Sequence, residues 1–431
     1  MRNLALLLAS VPILSGPGSM LGQKAAPSSP FSFRAWLENP PSLIVEDPTL
    51  DGPTVTLAGG DARRPHKPFT VDWGDGRLEE AFFPFRHTYQ DLARDYTVTV
   101  TAHYDPGEAS ETVRVRFTSA TFEFIRDPRI PRRVRVADAA LDLGSTMPGY
   151  APPGGLEGFA GADLAVPLPA WEYLLDVGHF LQMDFCNGDV DARSGSGLVV
   201  LSHPGFGGAY SLWYTQPVAV AADPSYLRRL CGLSSLYHEL GHDLTLNTPA
   251  RYRLGGRTDG PMSTVVSETL AQIMQHATAW EILNHPERYG LEEELADGLR
   301  RSALSAFSIT ARAYRDYVAQ GCPFATYQGE GAGADRTFGT FMSLAYVFVQ
   351  NAEERGAYRI PLKRTMALLQ TFDEEDHTRY QERENDSFRA TFLVAALSYG
   401  FDRDLRGRFR ELRFALDDSV FAQMQARMAG K

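Results

Sequence analysis

The chain has 431 residues, 44% of them apolar and 22% charged, with a formal charge of −11. That is enough apolar material for two or three packed domains, so wholesale disorder is excluded. An acidic surface repels phosphate backbones, which excludes nucleic acid as a natural partner.

Met1-Arg2-Asn3 is followed by an almost wholly apolar run to Leu14, then by Ser15-Gly16-Pro17-Gly18-Ser19. A basic start, a short apolar core and small residues predict a cleavable signal over residues 1–22 and a secreted or extracytoplasmic protein. The run is too short for a membrane helix, and no later segment is apolar enough to span a bilayer. Residues 23–39, with Pro and Ser concentrated in 25–30, read as a linker.

Residues 40–118 carry a β pattern. Thr54–Leu57, Phe69–Trp73, Tyr96–Val100 and Thr112–Phe117 alternate or run β-branched, and Gly59-Gly60, Gly74-Asp75-Gly76 and Asp105-Pro106-Gly107 separate them as turns. Short strands spaced by turns predict a small sandwich. Val71-Asp72-Trp73-Gly74-Asp75-Gly76, His87-Thr88-Tyr89 and Tyr96–Val100 resemble, in order and spacing, a PKD-type immunoglobulin-like module. That resemblance implies a spacer or binding module without chemistry of its own. Asp72 and Asp75 are expected to cap the turn rather than to form a calcium pair.

Residues 119–290 are expected to form an α+β domain and 291–431 a helical part that completes its cleft. Leu198–Leu201, Ser211–Tyr214 and Pro217–Val220 read as strands. Apolar spacing predicts helices over Leu291–Val318, Phe338–Ala352, Leu362–Leu369 and Ser387–Leu397. The fold class expected for the whole is multidomain α+β. Cys186, Cys231 and Cys322 allow one disulfide and one free thiol in an oxidising compartment, or three buried thiols; the pairing stays open.

The chemistry lies in His238-Glu239-Leu240-Gly241-His242. In a helix, residues four apart share one face, so two imidazoles can hold one zinc ion with the glutamate beside them as general base. Asp223-Pro224 is a helix-start signal ahead of the motif. Gly241 costs helix propensity by about 1 kcal/mol against alanine, which calls for a close neighbour near the metal. A catalytic zinc keeps three protein ligands and one open position. Thr245 and Thr248 stand where one class of zinc peptidase has glycine and histidine. The third ligand is therefore expected on the next helix, begun by Asp259-Gly260-Pro261 and Ser263. Glu268, separated from His242 by 25 residues and set among Val266, Leu270 and Ile273, is an isolated carboxylate in an apolar setting. Glu281 is the fallback and Asp243 a weaker choice. Gln272 could support a ligand. Tyr314, Tyr317, Tyr346 and His276 are possible oxyanion donors.

His238–His242 with Glu268 at this spacing resembles the gluzincins, and the enhancin-like, mucin-directed metallopeptidases among them. Gly205-Phe206-Gly207-Gly208-Ala209 ahead of the motif, and Asp404-Leu405, Phe409 and Phe414 near the end, lean the same way. The chain departs from that family's pattern at Thr269–Gln272 and at Leu412-Arg413. The resemblance implies a zincin-like catalytic domain and a secreted zinc endopeptidase acting on proteins or glycoproteins. The alternatives are a non-catalytic extracellular adhesion or binding protein on a zincin scaffold, and a zinc hydrolase of other amide bonds.

Overall fold

The computed structural model describes residues 30–38, 43–61, 67–117, 124–136, 164–205, 207–215, 217–248, 264–324, 334–381 and 386–429. The expected signal over 1–22 lies outside them, as do Phe206 and the helix-start residues 259–263.

The N-terminal region is rich in strands: β1 (Leu43–Val45), β2 (Thr49–Asp51), β3 (Thr54–Leu57), β4 (Gly59–Asp61), β5 (Phe69–Asp72), β6 (Leu78–Ala81), β7 (Phe85–Thr88), β8 (Tyr96–Tyr104) and β9 (Gly107–Val115). They form an antiparallel sheet in the order β6-β5-β8-β9, a three-stranded sheet β2-β3-β7 and the pair β1-β4. Alternation decides which side chains go inside: in β8, Tyr96, Val98, Val100 and Ala102 are buried while Thr97 is exposed. With Val55, Leu57, Val71, Trp73 and Phe85 they make a core of their own.

A second sheet follows, in the order β10 (Val134–Val136), β11 (Leu198–Ser202), β13 (Val218–Ala222), β12 (Ala209–Leu212). β10, β11 and β13 run parallel, and β12 lies antiparallel to β13 at the edge. Every residue of β13 is buried, as expected for a central strand covered on both faces.

Helices supply most of the rest: α1 (Arg34–Glu38), α2 (Leu168–Phe185), α3 (Ala192–Ser196), α4 (Gly232–Thr245), α5 (Thr264–Asn284), α6 (Glu293–Ala319), α7 (Ala334–Arg355), α8 (Arg359–Leu369), α9 (Glu374–Gln381), α10 (Asp386–Phe401), α11 (Arg406–Glu411) and α12 (Asp418–Ala426). One hydrophobic core runs from Phe31 to Met428 through the sheet and these helices. α5 is buried nearly all round and packs on α4, α6 and α7, so it is the pillar of the helical body.

Three expectations shift. Residues 30–38 fall in the stretch read as a linker, yet Phe31 and Phe33 are buried, Phe33 against His276 and Phe307; two aromatics anchor the segment. Asp223 does not start the motif helix. Its carboxylate accepts from the Ser225, Gly205 and Gly207 amides and caps a short 3-10 turn, Pro224–Tyr226, and α4 begins only at Gly232. Cys186, Cys231 and Cys322 are all free thiols, the first and last buried.

Candidate metal centre

α4 presents His238 and His242 on one face, and α5 brings Glu268 against them. His238 Nε2 lies 3.1 Å from Glu268 Oε2 and 3.1 Å from His242 Nε2, while His242 Nε2 lies 3.5 Å from Glu268 Oε1. Among the described residues this is the one group of three histidine, cysteine or acidic side chains placed to share an ion.

Gly241 makes the approach possible. A Cβ there would stand 2.9 Å from Ala271 Cα and 3.2 Å from its carbonyl oxygen, so only a glycine lets α5 lie this close. The close neighbour that Gly241 called for is therefore the backbone of the helix that carries Glu268.

The neighbours orient the cluster. Ser267 Oγ sits 2.8 Å from His242 Nδ1. With the hydroxyl accepting, Nδ1 holds the proton and Nε2 turns its lone pair toward His238 and Glu268. Gln272, one turn beyond Glu268, bonds through Nε2 to His276 and Thr310. Burial pushes the His238 pKa down, but the Glu268 hydrogen bond and the charges of Glu239 and Glu268 overcome it and the net shift is upward. Burial pushes the Glu268 carboxyl up, yet the hydrogen bonds and charges of the two imidazoles hold it far below the usual carboxylate range. The group thus gathers positive charge at its centre, a role open to protons or to a cation.

Glu239 stands beside the cluster and lines the same cleft, a cavity of about 620 Å³. Burial raises its pKa, opposed by His238 and His242 and by a hydrogen bond from the Ser211 amide. Ser211 lies on the edge strand β12, and its hydroxyl donates to Asp243. One serine therefore ties the strand to α4 at two points.

The remaining expectations sort by geometry. Asp243 is fully buried behind the motif, with Ser211 on one carboxylate oxygen, and is no part of the cluster. Glu281 faces Arg288 at 3.9 Å, farther along α5. His276 is buried against Thr310 and Gln272, and burial lowers its pKa to about 3, so it stays neutral. Tyr314 stacks on Tyr346 with ring centroids 4.0 Å apart, and Tyr317 donates to the Leu412 carbonyl. None of these lines the cleft, because all are spent on packing. Asp72 and Asp75 accept from the Gly74 and Arg77 amides, which is turn capping.

Family models, curated proteins and solved structures give no match to this chain. The site is therefore argued from its own geometry. Sequence reasoning overlooked Ser211, Ser267 and Tyr226. Tyr226 lines the cleft close enough to Glu239 for that charge, after burial, to help raise its phenol pKa. Its one sequence signal is a place just behind Asp223-Pro224.

Proposed function

We propose that the chain is a zinc-dependent endopeptidase of proteins or glycoproteins, secreted or extracytoplasmic, with a zincin-like catalytic unit and a PKD-type β module. The observation that carries this reading is the convergence of two imidazole nitrogens and one carboxylate within 3.1–3.5 Å. Ligand atoms about 2.0–2.2 Å from a tetrahedral zinc stand roughly 3.3–3.5 Å apart, so an ion fits with small adjustments. Two nitrogen donors and one oxygen suit zinc better than calcium or magnesium, which take oxygen ligands. His238, His242 and Glu268 would hold the ion, and Ser267 would orient the His242 imidazole. When bound, the ion supplies a Lewis acid and lowers the pKa of water toward about 7.

The chain's own residues do the rest. Glu239, with its pKa raised by burial, accepts the proton of the attacking water and returns it to the leaving amine. The Ser211 amide beside the Glu239 carboxylate favours its charged form. Among the described residues β12 pairs only with β13, so its outer edge can take an extended substrate as an added strand. Tyr226, which lines the cleft, is a candidate hydroxyl for stabilising a developing oxyanion.

The test compares the parent with Glu239→Gln. The parent should hold about one zinc, cleave casein or mucin, and lose cleavage on chelation. Glu239→Gln should keep the metal and lose activity by about 10²- to 10⁴-fold. If both proteins hold zinc and neither cleaves, the reading gives way to a binding protein on the same scaffold.

A further inference from the structure

Beyond the cluster the cleft runs between α5, α6 and α7. α5 faces it with Glu268, Gln272 and Gln275, the spacing of one helix face. Glu268 belongs to the cluster, and Gln272 is spent on His276 and Thr310. Gln275 differs. It is only 5% exposed, yet among the described residues its carboxamide has no hydrogen-bond partner. The carboxamides of Asn284 and Asn351 turn back to carbonyls of their own helices; that of Gln275 opens on the cleft instead. Buried polar side chains are nearly always satisfied, so one left open beside a cleft points to a partner that enters it.

The surrounding walls decide what that partner is. α6 contributes Ser305, Ala306 and Ile309, α7 contributes Phe341 and Met342, and none of these is charged. The Ser305 hydroxyl, too, has no partner among the described residues. Glu46 and Arg229, which also line the cleft, satisfy each other, with Arg229 Nη1 2.9 Å from the Glu46 carboxylate. A carboxylate entering here would meet the Gln275 carbonyl oxygen and the charges of Glu239 and Glu268. A cation would shed its water with no acid on the α6 or α7 wall to replace it. An apolar side chain would displace water from Gln275 and leave its donor and its acceptor unmet. A carboxamide meets both: its N–H donates to the Gln275 oxygen, its own oxygen accepts from the Gln275 N–H, and its methylenes lie on the apolar wall.

We propose that this part of the cleft is a subsite for an uncharged carboxamide side chain of a bound peptide, glutamine or asparagine, selected by Gln275. Gln275 stands two turns beyond Glu268, about 10 Å along the helix axis. An extended chain advances about 3.3 Å per residue, which sets the selected side chain one to three residues from the cut. The cut rests on the peptidase reading; selection on binding does not.

The zinc-loaded chain is given a random peptide library and the products are sequenced. Glutamine or asparagine should be enriched at one fixed position near the cut, about tenfold or more over methionine and glutamate. Gln275→Met, close in size but apolar, should erase that enrichment, favour methionine or leucine at the same position and keep its zinc. Gln275→Asn draws the carboxamide back by one methylene; it should favour glutamine over asparagine, and it serves if the methionine variant does not fold. In parallel, zinc-loaded Glu239→Gln is titrated calorimetrically with alanine peptides carrying a central glutamine, methionine or glutamate. The glutamine peptide should bind about tenfold more tightly than the other two, and Gln275→Met in the same background should remove the difference. Equal binding of the three, or a preference that survives Gln275→Met, overturns the proposal and leaves water as the partner of Gln275. A glycopeptide bound in preference to the glutamine peptide assigns the subsite to a sugar and overturns it as well. A parent that cleaves nothing defeats the peptidase reading, while the titration still decides the subsite.

Discussion

Two parts of the molecule each set a histidine against a carboxylate, with opposite meaning. In the β-rich region His87 Nε2 lies 2.8 Å from Asp75 Oδ2. The other Asp75 oxygen accepts from the Arg77 amide, and the imidazole stacks on Trp73 with centroids 4.7 Å apart. Each group has a further partner, so the pair ties the β5–β6 turn to β7. In the helical body His238 and Glu268 lie 3.1 Å apart, but a second imidazole points at the same spot and a cleft opens beside it. Proximity of histidine and carboxylate is common to both places. Convergence of lone pairs beside open volume belongs only to the second.

The sharpest way to break that contrast is to delete one imidazole from each region. His242→Ala should abolish stoichiometric zinc binding, because two ligands remain where a stable site needs three or four. His87→Ala should leave metal content unchanged and cost about 1–3 kcal/mol of stability, from a buried hydrogen bond lost and a partner left unmet. Metal analysis after dialysis, with thermal unfolding, measures both. Zinc retained at full stoichiometry by His242→Ala would collapse the distinction.

A glycine from each region sharpens it further. Gly241→Ala sets a methyl 2.9 Å from the Ala271 backbone, forcing α5 away. Overpacking should cost about 1–3 kcal/mol, more than the roughly 1 kcal/mol gained in helix propensity. Because Ala271 is on the helix that carries Glu268, zinc affinity should fall along with stability. Gly74 has φ +74° and would put a Cβ 2.4 Å from the Thr97 carbonyl oxygen. Gly74→Ala should therefore destabilise the protein with no effect on zinc. A Gly241→Ala protein that melts early but binds zinc normally would mean that helix spacing does not govern the cluster.

These glycines also mark what could be read from the chain. Periodicity located part of the strands and helices, because alternation and helical spacing follow directly from burial on one face, but it left α2 unread, a helix buried on most sides. The His-Glu-x-x-His spacing and a lone carboxylate in an apolar helix pointed to His238, His242 and Glu268, which the fold brings together. Ser211 and Ser267 carry no such signature: a serine is ordinary in strand and helix alike, and its role arises only when distant elements meet. The tyrosines are candidates by chemistry alone, and packing is the commoner role for each. Tyr314, Tyr317 and Tyr346 are chemically able to donate, but a bulky ring on a buried helix face goes to packing first. The Arg229–Glu46 contact joins residues far apart in the chain, and no local pattern announces it.

The effect that should leave zinc binding untouched and appear only as a change with pH lies at the seam between the two regions. Asp47, on the loop between β1 and β2, is buried against Arg301 of α6 at 2.9 Å. Burial outweighs the attraction of Arg301 and raises its pKa from 3.8 to about 6. The native state thus holds a proton that the unfolded chain releases near pH 4. The stabilisation from that proton is complete below the unfolded pKa and is lost as pH rises through about 6. A shift of roughly 2 units corresponds to about 3 kcal/mol as an upper figure. Asp47→Asn, which is uncharged at every pH, should remove that part of the decline in unfolding free energy between pH 4 and 7. The Asp75–His87 pair, which lies within the β-rich region, should show no change in the same variant. Denaturant titrations of parent and variant across that range measure the difference. Parallel curves would mean that the seam is wet and that the two regions are less tightly joined than the Asp47–Arg301 contact implies.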